Sequence, residues 1–296
     1  MKKKVLVSGS KGQLGRDLIG ILSAKFDISG FDIDKIDIRN LEDVKKFFRQ
    51  KKPDIVLHAA AYTDVDRCES ETETAMAVNA EGTENVALAC KDINAKMIYY
   101  STDYVFDGEK SSPYIETDNP NPQTIYGRSK LEGEKKIAGI LDEYAILRIA
   151  WLYGAHGKNF VRTMIKLGNK QLRQAKDGQV VEPLIVVNDQ FGNPTWTIEV
   201  ARQTEVVIDN KLAGIFHCTS EGATTWYDFA RAIFTELLMN VYLKSCTTDE
   251  FRRPARRPKY SVLDNKNLKD LNLNVMSDYK TALIEFFNKY GATLKS

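Results

Sequence analysis

The chain is poor in cysteine, in histidine and in net charge, and each shortage removes a class of function. Its 296 residues carry a net charge of only +2, which gives no broad electrostatic reason to expect nucleic acid or a membrane surface as partner. Cys68, Cys90, Cys218 and Cys246 are widely spaced without a Cys-x-x-Cys pair, and His58, His156 and His217 do not complete a metal site. The thiols therefore read as reduced, in a cytoplasm, and no metal is expected. No run of about 18 apolar residues is present to cross a membrane. The apolar stretch in MKKKVLVSGS is far too short for a signal-peptide core, so a soluble, unexported protein is expected. Repeats and low-complexity segments are also lacking. With 43% hydrophobic residues the chain suits one large or two modest folded domains.

What is present is an alternation. Short β-branched runs and amphipathic segments follow one another: KVLVSG then 13–24, DISGFD then 41–51, DIVLHA then 74–93, KMIYYS then 124–139, and YAILRI. This predicts an α/β fold, a doubly wound parallel sheet of Rossmann type, over residues 1–150. Beyond Ile149 the pattern loosens, and VEPLIVVNDQFGNPTW reads as irregular and partly extended. The stretch 190–219, with a helix over 197–209 and the strand GIFHCTS, is expected to return to the sheet. That leaves 151–189 and 220–296 for a smaller, discontinuous α/β substrate-binding domain.

SGSKGQLG follows the first strand and opens a helix, with glycines at Gly9, Gly12 and Gly15. Such a loop fits either a tight turn or a cradle for a pyrophosphate on the helix N-terminus. Asp32 ends the second strand at a spacing near that of a ribose-binding carboxylate. Asp37 and Ile38, after the next short strand, could flank an adenine, and Ala59, Ala60 and Ala61, after the fourth, would leave room for a flat ligand. Together these features favour a dinucleotide, cradled by Gly9, Ser10, Lys11, Gly12, Gln13, Leu14 and Gly15. Asp32 would repel a 2′-phosphate that Lys11 and Arg39 could neutralise, so NADPH or NADH is expected.

Tyr126 and Lys130 stand four residues apart on a predicted helix, hence on one face. Thr102 lies just past the fifth strand, at the same sheet edge as the glycine loop. Reduction of a ketone by hydride needs a group that polarises the carbonyl oxygen and an acid that protonates it; Thr102 suits the first role and Tyr126 the second. A nearby ammonium favours phenolate, which is the reason to want Lys130 one turn away. The densest charge run, RRPARRPK, contains two prolines, Pro254 and Pro258, and reads as a loop.

The Gly-x-x-Gly-x-x-Gly loop, the Thr after the fifth strand and Tyr-x-x-x-Lys resemble the extended short-chain dehydrogenase/reductases. Within them, AAAYTDVDRCE, STDYVFDG, NPQTIYGRSKLEGE, RIAWLYG, NFVRTM, VVNDQFGNPTW and TTWYDFA closely resemble the dTDP-4-dehydrorhamnose reductase family, and the likeness covers nearly the whole chain. It implies reduction of C4 of a dTDP-linked 4-keto-6-deoxy sugar to dTDP-L-rhamnose, for cell-surface polysaccharide. It also implies a catalytic set of Thr102, Tyr126 and Lys130, the lysine also holding the nicotinamide ribose, with Asn79 near the cofactor. By the same likeness Thr63, Val65, Asp103, Tyr104 and Trp151 would line the sugar pocket, and Asn188, Gln190 and Arg257 would face the nucleotide diphosphate. Arg252 and Arg253 are left as surface charges.

Two departures stand out. The segment GNKQLRQAKDGQVVEPLI, 168–185, is longer than the family pattern, which bears on nucleotide choice. The end EFFNKYGATLKS shows no cluster of acidic residues such as bridges subunits through magnesium in some members, and a homodimer is left open. Among rivals, sugar-nucleotide dehydratases need a glutamate where Tyr104 follows Thr102-Asp103, and epimerase-reductases need a Cys/His pair that is missing. The regulatory subunit of methionine adenosyltransferase is similar and binds NADP without being mainly a catalyst. The complete Thr-Tyr-Lys set favours the enzyme.

Overall fold

The apolar runs of the first half become parallel strands, and the amphipathic stretches between them become the helices that cover both faces. The computed structural model describes residues 2–295. Its elements are β1 (Lys4–Ser8), α1 (Gln13–Leu22), β2 (Asp27–Phe31), α2 (Leu41–Lys51), β3 (Ile55–His58), α3 (Val65–Ser70), α4 (Thr72–Met76), a π-helical turn (Ala77–Glu81), α5 (Gly82–Ile93), β4 (Lys96–Thr102), α6 (Ile125–Ile140) and β5 (Tyr144–Ile149). There follow β6 (Leu152–Tyr153), α7 (Phe160–Lys176), β7 (Leu184–Val187), β8 (Phe191–Gly192), β9 (Thr195–Trp196), α8 (Thr197–Asp209), β10 (Gly214–His217), β11 (Thr224–Thr225), α9 (Trp226–Glu236), β12 (Leu243–Cys246), α10 (Lys266–Asp270) and α11 (Tyr279–Lys295).

The main sheet runs β10-β5-β4-β3-β1-β2, all parallel. From β1 the chain steps outward to β2 and then reverses to β3. The loops after β1 and β3 thus diverge at a switch point beyond the strand ends, where ligands of open α/β sheets bind. Leu6, Val56, Met97, Tyr99 and Ile146 pack on one face, with Val44 and Phe48 of α2 and Val86 and Ala87 of α5. Val5, Val7, Leu57, Ile98 and Leu147 pack on the other, with Leu14, Leu18 and Leu22 of α1 and Val200 and Val207 of α8. Burial on both faces explains why these strands are apolar runs rather than alternations. A second core joins Val161, Met164, Trp196, Phe229, Ile233 and Phe286, from α7, α9, α11 and the short strands. Leu268 and Met276, late in the chain, pack into the first core instead.

Two local expectations change. There is no strand between Phe31 and Ile55: the Asp32 carbonyl accepts from the N–H groups of Lys35 and Ile36 and closes a turn. The strand before the alanines is therefore the third, and the one ending at Thr102 the fourth. The helix expected over 74–93 is preceded by helical turns from Val65, started by the Asp64 carboxylate, which accepts from Arg67 N–H at 3.1 Å. The long segment 168–185 is the end of α7 and a loop into β7, which pairs with β12. Gln171 ties it down, donating to the Glu182 and Tyr242 carbonyls and accepting from Tyr242 N–H.

Candidate active site

Gly9 turns the chain at φ +67°, and a Cβ there would lie 2.7 Å from Ala60 N, so the loops after β1 and β3 touch through a residue that only glycine fills well. Gly15 packs so closely on the loop that a Cβ would lie 2.8 Å from Ser10 Cα and closer still to the Gly9 carbonyl. Gly12 caps α1 without a side chain, and the first turn has no acidic residue. The N–H groups and positive end of α1 are left for an anion. They open on a cleft of about 500 Å³ lined by Gly9, Lys11, Gly12, Gln13, Leu14, Gly15, Asp32, Asp37, Ile38, Ala59, Ala60, Ala61, Tyr126 and Lys130. These residues fit a dinucleotide.

Two expected contacts lie elsewhere. Ser10 packs on β2, its N–H donating to the Phe31 carbonyl and its side chain filling the space at Gly30. Asn79 is fully buried; its amide donates to the Tyr62 carbonyl and Ser129 Oγ and accepts from Tyr62 N–H, tying the β3 loop to α6. Ile33, Ile36, Tyr62, Thr63, Val78 and Ser101 line the cleft too. Of these only Thr63 was expected at the site, though Ile33 and Ile36 alternate with charges in FDIDKID and could have been picked from that pattern. The Asp32 carboxylate accepts from Lys11 N–H at 3.0 Å and Ile33 N–H at 2.9 Å. Lys11 Nζ pairs with Asp34 and Arg39 with Asp37, both in exposed pairs of little net strength.

At the other end of the cleft, Thr102 terminates β4. Its hydroxyl donates to Asp103 at 2.9 Å and accepts from Tyr104 N–H at 3.2 Å. Tyr126 is the second residue of α6, whose start is fixed by Thr124 Oγ accepting from Gly127 N–H. The Tyr126 ring stands edge-on to Tyr104, 5.7 Å between centroids. Burial pushes the Tyr126 phenol up, with the nearby Thr102 hydroxyl opposing. The expected lowering by Lys130 is not what this geometry produces. The Lys130 ammonium donates to the Tyr100 carbonyl at 2.7 Å and lies 4.0 Å from the Tyr99 ring centroid, and burial pulls it down to about 7. Tyr126 is thus protonated at neutral pH, the state a proton donor needs. Asp103, buried beside it, is pushed up to about 6, with the Ser261 and Thr102 hydroxyls opposing.

The remaining expected residues are not among those that line this cleft. Trp151 holds a left-handed φ of +45°, stacked face to face on Trp226 at 3.5 Å and seated against Gly192. Trp226 was not anticipated, because its pairing with Trp151 joins distant segments. Val65 opens α3. Asn188 accepts from Thr225, and Gln190 donates to Thr248. Arg257 donates to Asp66 at 2.9 Å while its other terminal nitrogen is buried without a hydrogen-bond partner. Arg252 and Arg256 are exposed, and Arg253 reaches only to 4.0 Å from Asp66. The histidines His58 and His217 are structural: His58 bridges Ser8 and Thr83, and burial holds both near 3.

The family profile described as RmlD substrate binding domain matches residues 2–292. A solved dTDP-4-dehydrorhamnose reductase from Clostridium acetobutylicum is 43% identical and superposes with a TM-score of 0.92, over 97% of this chain and 99% of that one. Another, from Bacillus anthracis in complex with NADP, is 38% identical with a TM-score of 0.92 over 98% and 100%. A curated relative from Streptomyces niveus, named dTDP-4-keto-6-deoxy-D-glucose reductase, is 34% identical over 97% of each chain.

Proposed function

The chain belongs to the RmlD substrate binding domain family, and on that premise we propose that it reduces the C4 ketone of dTDP-4-dehydro-6-deoxy-L-mannose to dTDP-L-rhamnose, with NADPH or NADH. The observation that carries this reading is the meeting of the glycine loop with Tyr126 and Lys130 along one cleft, with Thr102 next in the chain to the lining residue Ser101. The nicotinamide, when bound, supplies the hydride. The first turn of α1 holds the pyrophosphate and Asp32 the adenosine ribose. Thr102 steadies the ketone oxygen, Tyr126 gives its phenolic proton to that oxygen as it becomes an alkoxide, and Lys130 holds the nicotinamide ribose. Residues 1–150 with 190–219 form the cofactor half, joined by Leu268 and Met276, and the rest of 151–189 and 220–296 the substrate half, working in the cytoplasm. No helix among the described residues is long and apolar enough to cross a membrane.

The test is NADPH oxidation across a panel of dTDP-, UDP- and GDP-linked 4-keto sugars. The Streptomyces niveus relative makes a different 4-keto-6-deoxy sugar the second reading. Preferred turnover of another panel member would select it, and tight NADPH binding without any turnover would point to a regulatory subunit.

Two expectations follow from charge. Asp32 disfavours a 2′-phosphate while Lys11 and Arg39, in weak exposed pairs, can turn to it. The ratio of kcat/KM for NADPH and NADH should therefore stay within about tenfold, or ~1.4 kcal/mol. A far larger ratio would mean that one of these charges points away. Arg257 offers a planar fork next to Tyr104, so Arg257→Ala should raise the sugar-nucleotide KM at least about tenfold, ~1.4 kcal/mol, and leave NADPH affinity unchanged. Arg252→Ala should do little. Equal effects of the two substitutions would remove the diphosphate role.

A further inference from the structure

One turn beyond Lys130 on α6 stands Glu134, and both are almost wholly buried, at 2% and 3% exposure. The Glu134 carboxylate accepts from Arg148 through both oxygens, at 3.0 and 2.7 Å, and Arg148 on β5 is 2% exposed. Arg148 is paired in register with Ser101, next to the Tyr100 whose carbonyl receives Lys130. The helix is therefore pinned to the seam between β4 and β5 at two points a turn apart, Lys130 on one strand and Glu134 on the other. Between them Gly133 sits so close that a Cβ would lie 2.8 Å from Tyr99 Oη, which leaves little freedom to slide.

The structure assigns Glu134 as a positioning residue for Lys130: clamped by Arg148, it fixes the turn of α6 that presents the ammonium to the cleft and sets a compensating negative charge beneath it. Resting on the reductase reading, this adds a residue that touches neither cofactor nor sugar.

The surroundings support it. Lys130 faces the Tyr99 ring and Tyr100 carbonyl from β4 and His58 from β3, with Tyr126 and Glu134 on its own helix, while Arg148 from β5 meets Glu134. His58 is held neutral by burial and the tyrosines are raised, so Glu134 is the anion of this group and opposes the downward pull of burial on Lys130. Asp103 lies toward Tyr126 and Thr102. Without the Glu134 charge, nothing would offset the burial that pulls Lys130 down, and Lys130 would give up its proton at lower pH.

The experiment follows the titration of Lys130 by NMR in enzyme labelled with ε-¹³C lysine, its signal assigned by loss in Lys130→Met, alongside the pH profile of kcat/KM for reduction. Glu134→Gln should move the Lys130 titration, and the alkaline limb of the profile, down by at least about one pH unit. Glu134→Asp, which keeps the charge, should restore most of that shift. Arg148→Met removes the competing cation and should move the titration the opposite way, and it decides alone if Glu134→Gln does not fold. An unmoved titration with a uniform loss of turnover, or shifts of the same sign in Glu134→Gln and Arg148→Met, would overturn the assignment. The NMR arm reads Lys130 whatever the substrate, so failure of the sugar panel would count against the reductase reading alone.

Discussion

Tyr126→Phe should lower turnover by at least about two orders of magnitude while cofactor binding survives. The substitution keeps the ring that packs edge-on against Tyr104 and removes only the hydroxyl that meets Thr102. The loss should fall on kcat in single-turnover reduction, since the donor acts on the oxygen as it gains charge. Near-normal turnover would defeat the assignment and would leave Tyr104, 5.7 Å away between ring centroids, as the substitute donor.

Gly15→Ala should lower NADPH affinity at least about tenfold, ~1.4 kcal/mol, and reduce stability by about 1–3 kcal/mol. The added methyl would meet backbone, the Ser10 Cα at 2.8 Å and the Gly9 carbonyl, which cannot rotate aside as a side chain could. Relief requires the loop to lift from α1, and the N–H groups at the helix start then diverge from the phosphates they are placed to meet. Calorimetric titration with NADPH and a thermal melt would check both parts. If affinity stayed at its original value although the melt showed the expected loss, the loop would be a turn and not a cradle.

Much of this architecture was legible because fully buried parallel strands write themselves as apolar runs, as in KVLVS and IVLH. The alternation with amphipathic helices then leaves few arrangements open. Two misreadings had local causes. FDIDKID carries isoleucines between charges, yet the Asp32 carbonyl gathers the next N–H groups into a turn, an interaction that periodicity does not encode. The helical turns from Val65 are mostly polar and begin on an Asp64 cap, so they lack the apolar stripe that marks a helix. In the candidate site, Tyr126 and Lys130 were visible because four residues on a helix share a face. Partners drawn from separate elements, such as Trp151 with Trp226 or Glu134 with Arg148, exist only once the chain has folded.

The edge strand β10 has a consequence for how the molecule is made. It pairs with β5, but 64 residues of chain separate Ile149 from Gly214, and α8, which covers α1, lies in that same stretch. While the first half emerges during synthesis, β5 offers a row of unpaired N–H and carbonyl groups, and the apolar face of α1 has no cover. The nascent sheet therefore stays open to wrong pairing until residues 214–217 arrive, and cutting the chain after β5 would release a sticky fragment rather than a working nucleotide-binding unit.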